Sequence, residues 1–101
     1  MAKTLDELIR TSKLPVFIDF WAEWCGPCRT VAPAVKQLAS EFSGRLMVVK
    51  VNVDLQPDAA ARFHVQGIPA LMLFAKGEMK WSTAGAIPYS QMRQEVLKAI
   101  G

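Results

Sequence analysis

Val16-Phe17-Ile18-Asp19-Phe20-Trp21-Ala22-Glu23-Trp24-Cys25-Gly26-Pro27-Cys28 passes from a short apolar run directly into a cysteine pair. Val16 to Trp21 is nearly unbroken and rich in aromatics, which predicts a buried strand. From Cys28 to Phe42 the periodicity changes: Val31, Val35, Leu38 and Phe42 fall on one helical face, with Arg29, Lys36, Gln37 and Glu41 on the other. Pro33 is expected to kink this helix and Ser43-Gly44 to end it. Leu46 to Val53 is a second β-branched run, read as another buried strand. A helix of this length between two such strands predicts a right-handed parallel crossover.

Outward from this unit the chain continues without linkers or repeats. Thr4 with Glu7 three residues later is a capping box for a short helix to about Lys13, ended by Pro15. Asp58 to Phe63 suggests a third helix. Ala70 to Ala75 and Glu78 to Thr83, joined at Lys76-Gly77, read as an antiparallel hairpin. The last helix, from about Tyr89 to Ile100, puts Tyr89, Met92, Val96 and Ile100 on one stripe. The expected fold is α/β, a mixed four-stranded sheet flanked by helices on both faces.

Composition narrows the function. With 101 residues, 51% apolar and 21% charged, residues 1–101 are expected to form one soluble domain. The net charge of +3 is spread from Lys3 to Lys98 with no basic run, so neither nucleic acid nor a membrane surface is an expected partner. The N-terminus has no apolar signal stretch, and no 18 consecutive apolar residues occur, so the expected location is cytoplasmic. In that reducing compartment a cysteine pair points to catalysis or metal binding before a static staple.

Cys25 stands where strand gives way to helix, so free backbone N–H groups and the positive helix end favour its thiolate. Arg29 adds a nearby positive charge. Cys25 is therefore the expected nucleophile of disulfide exchange, and Cys28, a turn inward, the resolving thiol. Gly26-Pro27 keeps the turn tight, glycine allowing close approach of a partner backbone and proline fitting the first helical turn. A purely structural disulfide across so small a loop would contribute only about 2 kcal/mol. Zinc needs about four ligands, and this chain has two Cys and one His. Arg29 stands where haem attachment would require histidine.

Two charges interrupt the apolar strands, Asp19 in the first and Lys50 in the second, and neither fits a surface position. Burial raises a carboxyl pKa toward the range useful for proton transfer. If the strands are parallel neighbours, Asp19 lies beneath the pair to take the proton of Cys28, with Lys50 modulating it. The alternatives are a structural hydrogen-bonding role for Asp19 and a snorkelling edge-strand position for Lys50.

Further blocks follow in order: Ala32-Pro33, Lys50-Val51-Asn52-Val53-Asp54, Gly67-Ile68-Pro69, Phe74-Ala75-Lys76-Gly77-Glu78 and Gly85-Ala86. With Phe20 to Cys28 they closely resemble the thioredoxin family, from about Val16 to the C-terminus. The resemblance implies the thioredoxin fold and a cis Ile68-Pro69 bond against the cysteines. It also implies an apolar groove for a partner polypeptide formed by Trp24, Gly26, Pro27, Ile68, Pro69, Gly85 and Ala86. Trp21, Pro33 and Asp54 would support the loop. On residues alone, Pro69 is a strand-starting proline, Gly85 a turn glycine, Trp21 a core residue and Asp54 a turn starter.

The same resemblance implies a general protein disulfide reductase, an electron donor to oxidised proteins. It would act as a monomer with no bound cofactor or metal, through a redox-active Cys25–Cys28 disulfide. Thioredoxin reductase, commonly a flavoenzyme, would recycle it with NADPH; this chain itself carries no nucleotide fingerprint. Alternatives are a redox-independent binding subunit using the same groove, and a disulfide oxidase or isomerase. Two departures stand out. Only Met1 to Lys3 precede Thr4, so the family's first strand is expected to be absent, and Ala70 replaces the usual threonine after the proline. Trp81 is expected to pack against a helix, and His64 to end the third helix in a structural or solvated role.

Overall fold

The computed structural model describes residues 4–100. Eight elements follow in order: α1 (Leu5–Thr11), β1 (Val16–Trp21), α2 (Gly26–Glu41), β2 (Met47–Asn52), α3 (Pro57–Arg62), β3 (Ala70–Ala75), β4 (Glu78–Ala84) and α4 (Tyr89–Ile100). The sheet order is β2-β1-β3-β4, with β1 parallel to β2 and antiparallel to β3, and β3 antiparallel to β4. The expected mixed four-stranded sheet is therefore present. The expectation that no strand precedes α1 falls on residues 1–3, which lie outside the described residues.

Local chemistry sets the ends of the elements. Thr4 Oγ1 accepts the Glu7 N–H at 3.1 Å and caps α1. That helix stops at Thr11, short of Lys13, where the Ser12 side chain turns to the Leu14 backbone and leads the chain into β1. Lys76 and Gly77 both have positive φ, 55° and 79°, the conformation of a tight two-residue hairpin turn between β3 and β4.

Strand parity divides the core. Phe17, Leu71 and Leu73 meet Val31, Val35 and Leu38 of α2 and Met92 and Val96 of α4 on one face. Val16, Ile18 and Phe20, with Met72 and Phe74, pack on the other face with Ile9 of α1 and Phe63 after α3. Covered on both faces and paired along both edges, β1 is buried from Val16 to Phe20. Trp81 packs into the α2–α4 layer, its ring stacked 6.3 Å from Phe17. His64 follows α3, exposed and at positive φ.

One expectation fails here. The run from Leu46 to Val53 reads as a buried strand, yet β2 lies at the edge of the sheet and only Val51 within it is fully buried. Three β-branched residues raise its apparent hydrophobicity, but residue type carries no record of how many neighbours a strand has.

Candidate active site

Three chain segments meet at one end of the sheet. Parallel pairing aligns Trp21, the last residue of β1, with Asn52, the last of β2, while antiparallel β3 begins there with Ala70 opposite Phe20. The cysteine loop leaves β1 at this end and enters α2. Cys25 is the N-cap of α2, in extended conformation, and its Sγ accepts the Cys28 N–H at 3.1 Å. A sulfur in that place receives an otherwise unpaired backbone donor and the positive end of a long helix, both of which favour thiolate.

Cys25 and Cys28 are joined as a disulfide, with their Cα atoms 5.2 Å apart. Exposure does not separate them, since each is 4% accessible. Surroundings do. Cys28, with Asp19, Trp21, Ala32 and Lys50, lines a cavity of about 280 Å³ in which Cys25 has no part.

Asp19 shares the parity of Phe17, so it points from β1 toward the start of α2. It is 1% exposed, and its Oδ1 has no hydrogen-bond partner among the described residues. Burial pushes its pKa up to about 6, against a smaller opposing pull from the Lys50 ammonium. The parallel crossover makes β1 and β2 neighbours, and their register pairs Asp19 with Lys50. Lys50 itself corrects the expectation of a buried charge, because it is exposed on the edge strand and its ammonium sits 5.0 Å from the centre of the Trp21 ring.

On the opposite side of the pair, Ile68 packs against the Ala22, Cys25 and Cys28 cluster, and the Ile68–Pro69 bond is cis. Pro69 is buried, and its carbonyl accepts the Gly85 N–H at 2.8 Å, with Gly85 held at a φ of 98°. Gly26, Pro27 and Ala86 are exposed. A Cβ at Gly26 would meet nothing within 4 Å among the described residues, so no contact with them requires glycine there.

Trp24 is 67% exposed, yet its indole is anchored: Nε1–H donates to Asp54 Oδ2 at 2.8 Å. The Asp54 N–H in turn donates to Asn52 Oδ1 at 2.9 Å. The Arg29 guanidinium donates to the Glu23 carbonyl, so it braces the loop as well as carrying charge. Pro33 lies elsewhere: α2 continues through it as a single helix, and the residue sits exposed on the outer side. Asn52 is the contributor that residue-by-residue reading misses, although Asn-Val-Asp after a β-branched run is a usable turn signal.

The sequence profile described as Thioredoxin matches residues 1–98. Thioredoxin 1 of Chlorobaculum tepidum is 83% identical over 101 residues, covering 100% of both chains. Thioredoxin 1 of a Nostoc species is 41% identical over 95 residues, covering 94% of this chain and 89% of that protein. The chloroplastic M-type thioredoxin of Pisum sativum is 42% identical over 95 residues, which cover 94% of this chain and 55% of that longer protein.

Proposed function

Because the chain belongs to the thioredoxin family, we propose that Cys25 is its attacking sulfur, Cys28 its resolving sulfur and Asp19 the acceptor of the Cys28 proton. The overall reaction is reduction of protein disulfides by a thiol-disulfide oxidoreductase whose redox group is its own cysteine pair. Its partners are oxidised proteins and a reductase.

The Cys25 thiolate attacks one sulfur of the substrate disulfide, forming a mixed disulfide and expelling a substrate thiolate, which takes a proton from solvent. Cys28 gives its proton to the Asp19 carboxylate and attacks Cys25 Sγ. The Cys25–Cys28 bond forms, the mixed disulfide breaks, and the second substrate thiolate leaves. Two electrons pass from the protein to the substrate, and the reductase returns them, drawing ultimately on NADPH. The cavity shared by Cys28 and Asp19, and not by Cys25, is the observation that carries this division of labour.

In this proposal the exposed Trp24, Gly26, Pro27 and Ala86, with Ile68, Pro69 and Gly85 beside the sulfurs, receive the substrate chain. Trp21 and Asp54 support the loop. Lys50 lowers the Asp19 pKa and so acts through that carboxylate. The remaining elements of the proposal are a single-domain monomer and a cytoplasmic setting, where recycling keeps dithiols reduced and where the substrates are proteins rather than nucleic acids or membranes.

A turnover assay on a protein disulfide with NADPH and a thioredoxin reductase tests the function. We expect continuous NADPH oxidation that is abolished in Cys25→Ser. A Cys25→Ser/Cys28→Ser protein that retains its biological role would instead favour a redox-independent binding subunit.

A further inference from the structure

Trp24 directly precedes Cys25, the proposed attacking residue, and its indole is mostly in solvent, with the Asp54 carboxylate as the partner of its N–H. Asp54 is itself exposed and follows the end of β2, so its direction depends on the turn that carries it. That turn is built on one residue. Asn52 Oδ1 accepts the N–H of Asp54 at 2.9 Å and of Leu55 at 3.3 Å. The Asn52 carbonyl accepts the N–H of Leu55 at 3.2 Å and of Gln56 at 2.9 Å. An asparagine amide offers one acceptor oxygen, and here it takes the Asp54 N–H and shares the Leu55 N–H with the Asn52 carbonyl.

The turn is founded on the paired ends of β1 and β2. Asn52 is half-buried and in register with Trp21, and the next N–H, that of Val53, donates to the Trp21 carbonyl at 2.9 Å. The loop bearing Trp24 and the turn bearing Asp54 thus leave adjacent strand ends, and the indole–carboxylate bond closes the gap between them.

We propose that Asn52 is a positioning residue for disulfide reduction: its amide oxygen orients Asp54, which holds the Trp24 indole beside Cys25 where a protein substrate docks. The proposal rests on the reductase function above. Asn52 touches neither sulfur, so its loss acts on docking and leaves thiol chemistry intact. An extended protein substrate needs the Trp24 surface in place, whereas a small aromatic disulfide needs only the sulfur.

The experiment compares wild type, Asn52→Ala and Asn52→Asp in the reduced form, with a protein disulfide and a small aromatic disulfide as substrates. The Trp24 Nε1–H resonance is followed by NMR. In Asn52→Ala we expect KM for the protein disulfide to rise about fivefold, the factor one neutral hydrogen bond is worth, while kcat and the small-disulfide rate stay at wild-type values. The indole resonance should move toward that of a solvated tryptophan. Asn52→Asp keeps an acceptor oxygen and should restore both KM and the resonance. In an Asp54→Ala background, Asn52→Ala should change KM no further.

An unchanged indole resonance in Asn52→Ala, or equal losses on both substrates, would overturn the proposal. So would failure of Asn52→Asp to rescue. A wild-type protein that reduces neither substrate would contradict the reductase function instead, and the resonance would still decide whether Asn52 governs the indole.

Discussion

Asp19 is buried because β1 is paired on both edges and covered on both faces, so every residue of its interior is removed from water. Desolvation raises its pKa from 3.8 to about 6, which means the folded protein holds this proton more tightly than the unfolded chain does. The sign of the linkage follows: the contribution of Asp19 to stability is most favourable below pH 4 and is lost as pH rises through about 6. A shift from 3.8 to about 6 corresponds to about 3 kcal/mol, so Asp19→Asn should stabilise the oxidised protein by up to that amount at pH 8 and by little at pH 4. Denaturant unfolding at the two pH values checks this. The same group predicts a kinetic signature. Release of substrate by Cys28 should accelerate as pH rises through the Asp19 pKa, and Asp19→Asn should remove that inflection; an unchanged rate and pH profile would eliminate Asp19 as the proton acceptor.

At the scale of elements, β1, β3 and α4 were legible to the residue. Continuous or nearly continuous apolar runs mark the strands, and the helical spacing of Tyr89, Met92, Val96 and Ile100 marks the helix. The edge position of β2 was not legible, because Val48, Val49 and Val51 would look the same in a central strand. Lys50 carries two readings for that reason: a lysine amid valines fits either a buried charge or a snorkelling edge position, and the missing neighbour strand decides for the second. The placement of Cys25 at a strand-to-helix junction was legible, and the roles proposed for Cys25 and Cys28 rest on it. The part of Asn52 was not, since it depends on a hydrogen-bonded turn spanning two strand ends. The hairpin carries its own prediction. Gly77 has a φ of 79°, where a Cβ collides with the following carbonyl, so Gly77→Ala should cost about 1–2 kcal/mol in thermal or denaturant unfolding without altering disulfide reduction.

Over the whole molecule, two helical layers press on opposite faces of the sheet and leave one of its ends open. The parallel β1–β2 pair delivers the cysteine loop and the Asp54 turn side by side at that end, and antiparallel β3 brings Ile68–Pro69 to the same place. The core therefore sets the sulfurs between the cavity of Asp19 and the exposed Trp24, Gly26, Pro27 and Ala86, which in our proposal take up a proton and a substrate chain. The central claim is that Cys25 attacks and Cys28 resolves. Reduced Cys28→Ser protein mixed with an oxidised protein substrate tests it, with mass spectrometry of the products before and after added dithiol. A stable one-to-one mixed disulfide mapped to Cys25 and released by dithiol is predicted, with no such adduct from Cys25→Ser. An adduct formed preferentially through Cys28 in Cys25→Ser, or no adduct from Cys28→Ser, would contradict the account.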